Sequence, residues 1–419
     1  MARLTRARWS RTRVALQIVA VVGLVGSCGS TSPSGRTIHV PGDAPTIQAG
    51  IDEARAGDLV LVAPGVYHES VRILRRGVTL RGEDRNTVVL DGEYQRENGV
   101  AVGADGVAVE NLTVRGYNAN GVFFSGALAK HDSADALGTG ANVLKGWRAS
   151  YVTTFNNGLY GVYAFGARYG RIDHVYASGH PDSGLYIGQC RPCDAVIADS
   201  TAEANAIGYY GTNASGGIYV IRSVFRGNRI GLTPNSQVME KLTPQAETVI
   251  AGNLVVDNGN ARTPPVPKGA FGFGIVIGGG TRNTIVRNRV EGNPAAGVYV
   301  TDLDGFAPLD NRVEANVLSS NGFDLAFAAG GASGNCFVSN AFTSSSPPSI
   351  ESALPCSGAA SGGPFARPSF VSAPAGVDHR TMRAPAAQPS MPDATTARYG
   401  AVAAVAPTVD VASITVPVR

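Results

Sequence analysis

The sequence predicts an all-β protein, a parallel β-solenoid, on three observations. Gly is 53 of 419 residues, against about 7% in an average chain, and charged residues are only 16% against about 25%. A Gly followed by an apolar–any–apolar triplet recurs at Gly99, Gly121, Gly161, Gly184, Gly208, Gly231, Gly274, Gly297 and Gly322, loosest at Gly208 and Gly231, where Gly211 and Pro234 take the third place, with six of the eight steps at 22–25 residues. A second register, apolar–x–x–Asn or Ser–x–apolar–x–x–Asn, precedes the Gly, as in Ile285, Asn288, Val290 and Asn293. Its closing positions are Asn156, Asn205, Asn228, Asn258, Asn293 and Asn321. High Gly with low charge excludes a coiled coil, a helical bundle and a charged disordered chain. Short strands with Gly or Asn turns and a period near 23 imply one coil per repeat. Stacked coils bury a continuous apolar interior, and Asn side chains hydrogen-bond their neighbours at the turns.

The N-terminus is read as an export signal. Residues 1–27 hold Arg3, Arg6, Arg8, Arg11 and Arg13 and no acid. Val14 to Gly26 is then an apolar run too short for the ~20 residues of a spanning helix. Val25-Gly26-Ser27-Cys28-Gly29 resembles a bacterial lipobox. The expectation is cleavage before Cys28, lipidation there, a 28–36 tether, and anchoring to the outer face of the cell membrane. Removing the five arginines changes the net charge from +3 to −2. That balance lacks the basic footprint of a nucleic-acid binder. Cys190, Cys193, Cys336 and Cys356 remain, an even number that suggests disulfides in an exported chain. Pairing 190–193 and 336–356 is the simplest of three possibilities. Cys190-Arg191-Pro192-Cys193 also fits a redox or metal-binding motif, and those readings stay open.

Pro45 to Arg55 reads as a short helix, with Ile47, Ile51 and Ala54 on one face able to cap the first coil. Residues 37–342 then give ten or eleven coils, a rod of about 50 Å at ~4.8 Å per coil. Two long steps mark loop insertions near 125–142 and 233–246, and 259–271 is irregular. Thr343–Arg419 is rich in Ala, Pro and Ser and reads as a largely disordered tail, with a tail packed along the rod as the alternative. Pro41–Ile51 followed by Gly57-Asp58-Leu59-Val60-Leu61-Val62-Ala63-Pro64-Gly65-Val66-Tyr67 resembles the opening of the pectin-lyase-like right-handed parallel β-helix superfamily. The coils resemble its repeats, as in nitrous-oxide-reductase accessory proteins and mannuronan epimerases. The resemblance implies a right-handed parallel β-helix with a short N-terminal capping helix. Its catalytic motifs do not carry over: the epimerase Asp-Pro-His appears here reversed, as His180-Pro181-Asp182.

Position +2 of each Gly-led strand should point outward. Those residues are Ala101, Phe123, Tyr163, Tyr186, Tyr210, Thr233, Val276, Tyr299 and Asp324. Phe123, Tyr163, Tyr186 and Tyr210 would form a ring ladder at ~4.8 Å spacing, a surface on which sugar rings can stack. The two insertions would wall this face. Around it lie Lys130, His131, Asp132 and Asp135 of the first insertion, Glu240 and Lys241 of the second, and His180, Asp182, Arg168 and Arg191. A uronate lyase or epimerase needs a carboxylate clamp, a base and an acid. The expected roles are His180 as base or acid, Tyr186 as its partner, Asp182 orienting His180, and Arg191 or Lys130 as the clamp. Phe123, Tyr163, Tyr210, Arg168, His131 and Asp132 would contact substrate. The alternative is a non-catalytic envelope scaffold, with His180 serving as a turn residue like the Asn it replaces. No cofactor is expected. Asp302-Leu303-Asp304-Gly305 with Asp310 could hold Ca²⁺ or be a solvated turn. The expected partners are a polysaccharide or envelope glycan and the membrane, with the chain a monomer that binds no nucleic acid.

Overall fold

The computed structural model describes residues 35–129, 142–266, 269–357 and 365–419. Gly35–Arg419 forms one unit built from three sheets of 12, 11 and 10 strands, all paired parallel between successive coils. The 12-stranded sheet runs from Thr37–Val40 to Cys336–Val338, and the 10-stranded one from Gly65–Tyr67 to Val317–Ser319. The 11-stranded sheet runs from Val71–Ile73 to Ser345–Ser346. One apolar core fills the rod, with Val, Ile and Leu from all three sheets and the larger Trp147, Phe124 and Phe225.

The Gly repeat follows from how tightly coils stack at one corner. A methyl at Gly231 would lie 2.5 Å from the carbonyl oxygen of Gly274 and 3.0 Å from Asn258 Nδ2. Gly208, Gly274 and Gly297 meet the next coil in the same way. The Gly and Asn signals are therefore two sides of one packing unit. The Asn side chains form ladders through the buried corners. In one, each Oδ1 accepts from the backbone N–H and Nδ2 of the coil before, through Asn205, Asn228, Asn258, Asn293 and Asn321. Asp324 ends it by accepting from Asn321. A second runs through Asn253, Asn288, Asn316 and Asn340 to the Glu351 carboxylate. These bonds satisfy polar backbone that the turns would otherwise bury unpaired.

Several expectations are corrected. Asn157, rather than Asn156, occupies the ladder corner, and Asn156 donates to the Met382 carbonyl. Asp324 does not face outward: it pairs in register with Gly297, and Ala326 takes the outward place beside Tyr299. Gly322 lies in the preceding turn, so the sequence motif there is shifted by two residues. The rod also continues past 342, through Ser345–Ser346 and a helix at Ile350–Ala353 whose Ile350 is buried. At the other end, the helix Ile47–Glu53 is N-capped by the Thr46 hydroxyl and buries Ile47 and Ile51. Disulfides join Cys190 to Cys193 and Cys336 to Cys356. Both Cys190 and Cys193 are fully buried, so the redox reading loses the access it needs.

Residues 365–419, expected to be disordered, run along the rod. Arg229 donates to the carbonyls of Pro374 and Ala375, Arg85 to Pro389, and Arg81 to Ala394, Ala397 and Arg398. The chain then returns past Gly106, bonded by Val402, and reaches Arg289 and Glu291 with Pro417 and Arg419. The signal, the lipidation site Cys28 and most of the first insertion lie outside the described residues, as do Lys130, His131, Asp132 and Asp135. No helix among the described residues is long and apolar enough to cross a membrane.

Candidate functional site

The outward side of the 11-stranded sheet carries two rows of side chains in register. One runs Phe123, Tyr163, Tyr186, Tyr210. Ring centroids are 4.8 Å apart for Phe123–Tyr163 and for Tyr163–Tyr186, and 5.9 Å for Tyr186–Tyr210. The other row starts at Tyr160, which stacks on Tyr163 at 4.2 Å with planes 6° apart. It continues through Ser183, Ile207, Ile230 and Phe273. Tyr160 lies three residues before Tyr163, where the strand starts, and a reading of position +2 alone passes over it. Phe123, Tyr160, Tyr163 and Tyr210 are half-buried, whereas Tyr186 is 2% exposed.

Two carboxyls lie near these rings, close enough for Glu240 to act electrostatically on Asp182. Asp182 stands just before the strand Ser183–Gly188, its backbone N–H bonded to the Leu159 carbonyl of the preceding coil. Burial pushes its carboxyl up to about 6; Glu240 nearby adds to the rise, and the Tyr160 hydroxyl works against it. Its Oδ1 is buried without a hydrogen-bond partner among the described residues. Glu240 comes from the loop that leaves strand Ile230–Asn235 and folds back over the face. Burial raises its carboxyl too, while Gln189 Nε2 donates to it at 2.7 Å. The loop is pinned by Gln237, which bonds the Tyr210 hydroxyl and the Asn213 Oδ1. Burial and the nearby acids raise the Tyr160 and Tyr163 hydroxyls well above the usual phenol range, so both keep their protons. A surface pocket of about 300 Å³ beside Phe123, lined by Arg72, Glu97, Asn98 and Leu128, extends the face toward the N-terminus.

Other expected site residues are elsewhere engaged. His180 is fully buried and points into the ladder corner, away from the face. Its Nδ1 lies 2.8 Å from Asn205 Oδ1 and its Nε2 3.3 Å from Asn157 Nδ2. Burial lowers its pKa to about 3, so the ring stays neutral. It cannot pair with Tyr186 as base or acid, and Asp182 does not orient it: His180 serves the interior and Asp182 the face. Arg191 donates to the Leu242 and Pro244 carbonyls and thereby holds the second loop, so it is not a free clamp. Arg168 is paired with Asp194 at 3.0 Å and lies against the Tyr169 ring. Asp302 pairs with Arg367, and no three His, Cys, Asp or Glu converge as a metal site among the described residues.

Because His180 is neutral when folded and would protonate near pH 6.5 unfolded, the unfolded chain binds the extra proton between about pH 3 and 6.5. Stability is therefore lost as pH falls through that window. His180→Asn should restore the corner residue of the other coils and shrink this loss, read as a smaller difference in melting temperature between pH 7 and pH 4.

A solenoid of three parallel sheets, with a face of stacked rings on one of them, defines a parallel β-helix protein. The family described as "Right handed beta helix region" matches residues 139–351, and the chain belongs to it. Among solved structures it is similar to the A-modules of two mannuronan C-5 epimerases of Azotobacter vinelandii. For AlgE4 the identity is 16% and the TM-score 0.51, covering 70% of this chain and 90% of that one. For AlgE6 the values are 15% and 0.51, covering 71% and 92%. At these identities the likeness is one of fold. No curated protein matches.

Proposed function

We propose that the protein binds a polysaccharide along the outward face of the 11-stranded sheet and acts on it through Asp182, with Glu240 as the neighbouring charge. The observation that carries this is the pair of carboxyls, both raised by burial, held near half-exposed stacked tyrosines. A carboxyl titrating near 6 is poised to take or give a proton near neutral pH. Tyr160 and Tyr163, held protonated beside it, can donate hydrogen bonds to the substrate. This division fits proton abstraction and return on a uronate, a reading supported by the name of the mannuronan epimerases that share the fold. Lys241, exposed on the second loop, is the cation we assign to the substrate carboxylate. Cys28 remains our proposed lipid anchor, placing the rod at the outer membrane face.

The scaffold reading keeps two observations on its side: His180 serves as a ladder residue and Tyr186 is nearly covered. A binding and turnover screen of the Gly35–Arg419 protein decides between them, using mannuronan, polygalacturonate and neutral glucans. Tyr163→Ala should weaken uronan binding by about 5–30-fold, the 1–2 kcal/mol of a ring at the centre of an interface. No binding to any polymer by the folded protein would leave the scaffold.

A further inference from the structure

The aromatic face does not stop at Tyr210. Its two rows continue in register along the same sheet, one through Thr233, Val276 and Tyr299, the other through Ile207, Ile230, Phe273, Ala296 and Phe323. Tyr299 stands three coils beyond Tyr210, roughly 14 Å along the rod. Yet Tyr299 is 5% exposed, because the C-terminal segment crosses it. The Phe370 ring lies 5.0 Å from Tyr299 and 4.9 Å from Phe273, both edge-on, and 6.3 Å from Phe323. Arg367 fixes the approach by donating to Thr301 Oγ1 at 3.4 Å and Asp302 Oδ1 at 3.3 Å. Val266 and Ala270 of the irregular 259–271 stretch pack on the same patch.

We infer that Phe370 is an end-stop for the polysaccharide groove, occupying the surface on which the chain's next sugar rings would lie. This rests on the function proposed above. An apolar ring held over three outward aromatic residues takes the place a stacked sugar would take. The contact is made by three edge-on ring pairs rather than by a disulfide or a ladder, so it limits the length of chain engaged without being built into the coils. The groove is thus closed toward Tyr299 by the C-terminal segment.

The test is a length series of mannuronate and galacturonate oligosaccharides, disaccharide to decasaccharide, titrated against the Gly35–Arg419 protein and Phe370→Ala. For the wild type, affinity should rise with length and then level off. In Phe370→Ala the plateau should move to longer oligosaccharides. Their affinity should rise about fivefold, the equivalent of one aromatic contact, while the shortest bind as before. Phe370→Leu, which keeps an apolar cover, serves if the alanine variant does not fold, and should shift the plateau less. An unchanged plateau in folded variants overturns the end-stop and leaves the polysaccharide reading standing. Absence of binding by the wild type at every length overturns both.

Discussion

Asp182→Asn is expected to raise the melting temperature at pH 8 while reducing turnover of the uronan substrate by about 10²–10⁴-fold, the usual contribution of a positioned acid or base. The stability half follows from linkage. An Asp with a pKa near 3.8 unfolded and about 6 folded holds its proton longer in the native state. Between those values the folded chain binds more protons, so stability falls as pH rises through the window, and the full penalty persists above it. Asn is neutral at every pH and removes the penalty. The two melting temperatures should therefore converge near pH 4 and separate by pH 6. Glu240→Gln removes a neighbouring negative charge that helps to raise Asp182, so the acid limb of the pH–rate profile should move to lower pH. A carboxyl retained at a cost to stability is the expectation for a working group. Loss of stability in Asp182→Asn at pH 8 would instead show the carboxylate holding the fold, and would sink its role as base.

What could be read from the sequence was whatever the coil repeats. Gly231, Asn258 and Asn293 recur because each coil must meet the next at one corner, and that requirement is written in side-chain identity. The ring row from Phe123 to Tyr210 follows from the same period. Where the period is broken, legibility ends. Glu240 reaches the face only through the path of a loop, which spacing does not describe. Asp324 departs because Gly322 belongs to a turn, and one Gly looks like another in a motif. His180 stands at the corner position that the repeat assigns to Asn, and it acts there as Asn does elsewhere. The C-terminal segment was illegible for a different reason. It is held mainly through its carbonyl oxygens, which every residue has and no composition reveals, and the donors are arginines from 145 to 313 positions away.

Those arginines make the second large effect. Arg81 and Arg85 are buried, as is the side chain of Arg229, and a buried guanidinium needs a full set of acceptors. Arg81 has the Glu110 carboxylate at 2.7 Å, together with three carbonyls from residues 394–398. Among the described residues Arg85 has no carboxylate in its bonding set: it donates to Thr153 Oγ1, the Val152 carbonyl and the Pro389 carbonyl. Burial accordingly lowers its pKa to about 10, and that of Arg229 is lowered as well. Hydrogen bonds to charged groups contribute about 1.5–3 kcal/mol each, so ending the chain before residue 365 should cost on the order of 5 kcal/mol even though water takes up part of the lost bonding. In the full chain, Arg85→Ala should cost about 2–3 kcal/mol, because it strands the Val152 and Pro389 carbonyls in a buried seam. Denaturant unfolding of the two variants measures both. Hydrogen exchange adds an independent reading, since the Val402 amide bonded to Gly106 should exchange slowly in the wild type and fast in Arg81→Ala, whose strap turns loose at residues 394–398. A C-terminal segment that merely trails in solvent would give an unchanged midpoint on truncation and an unprotected Val402.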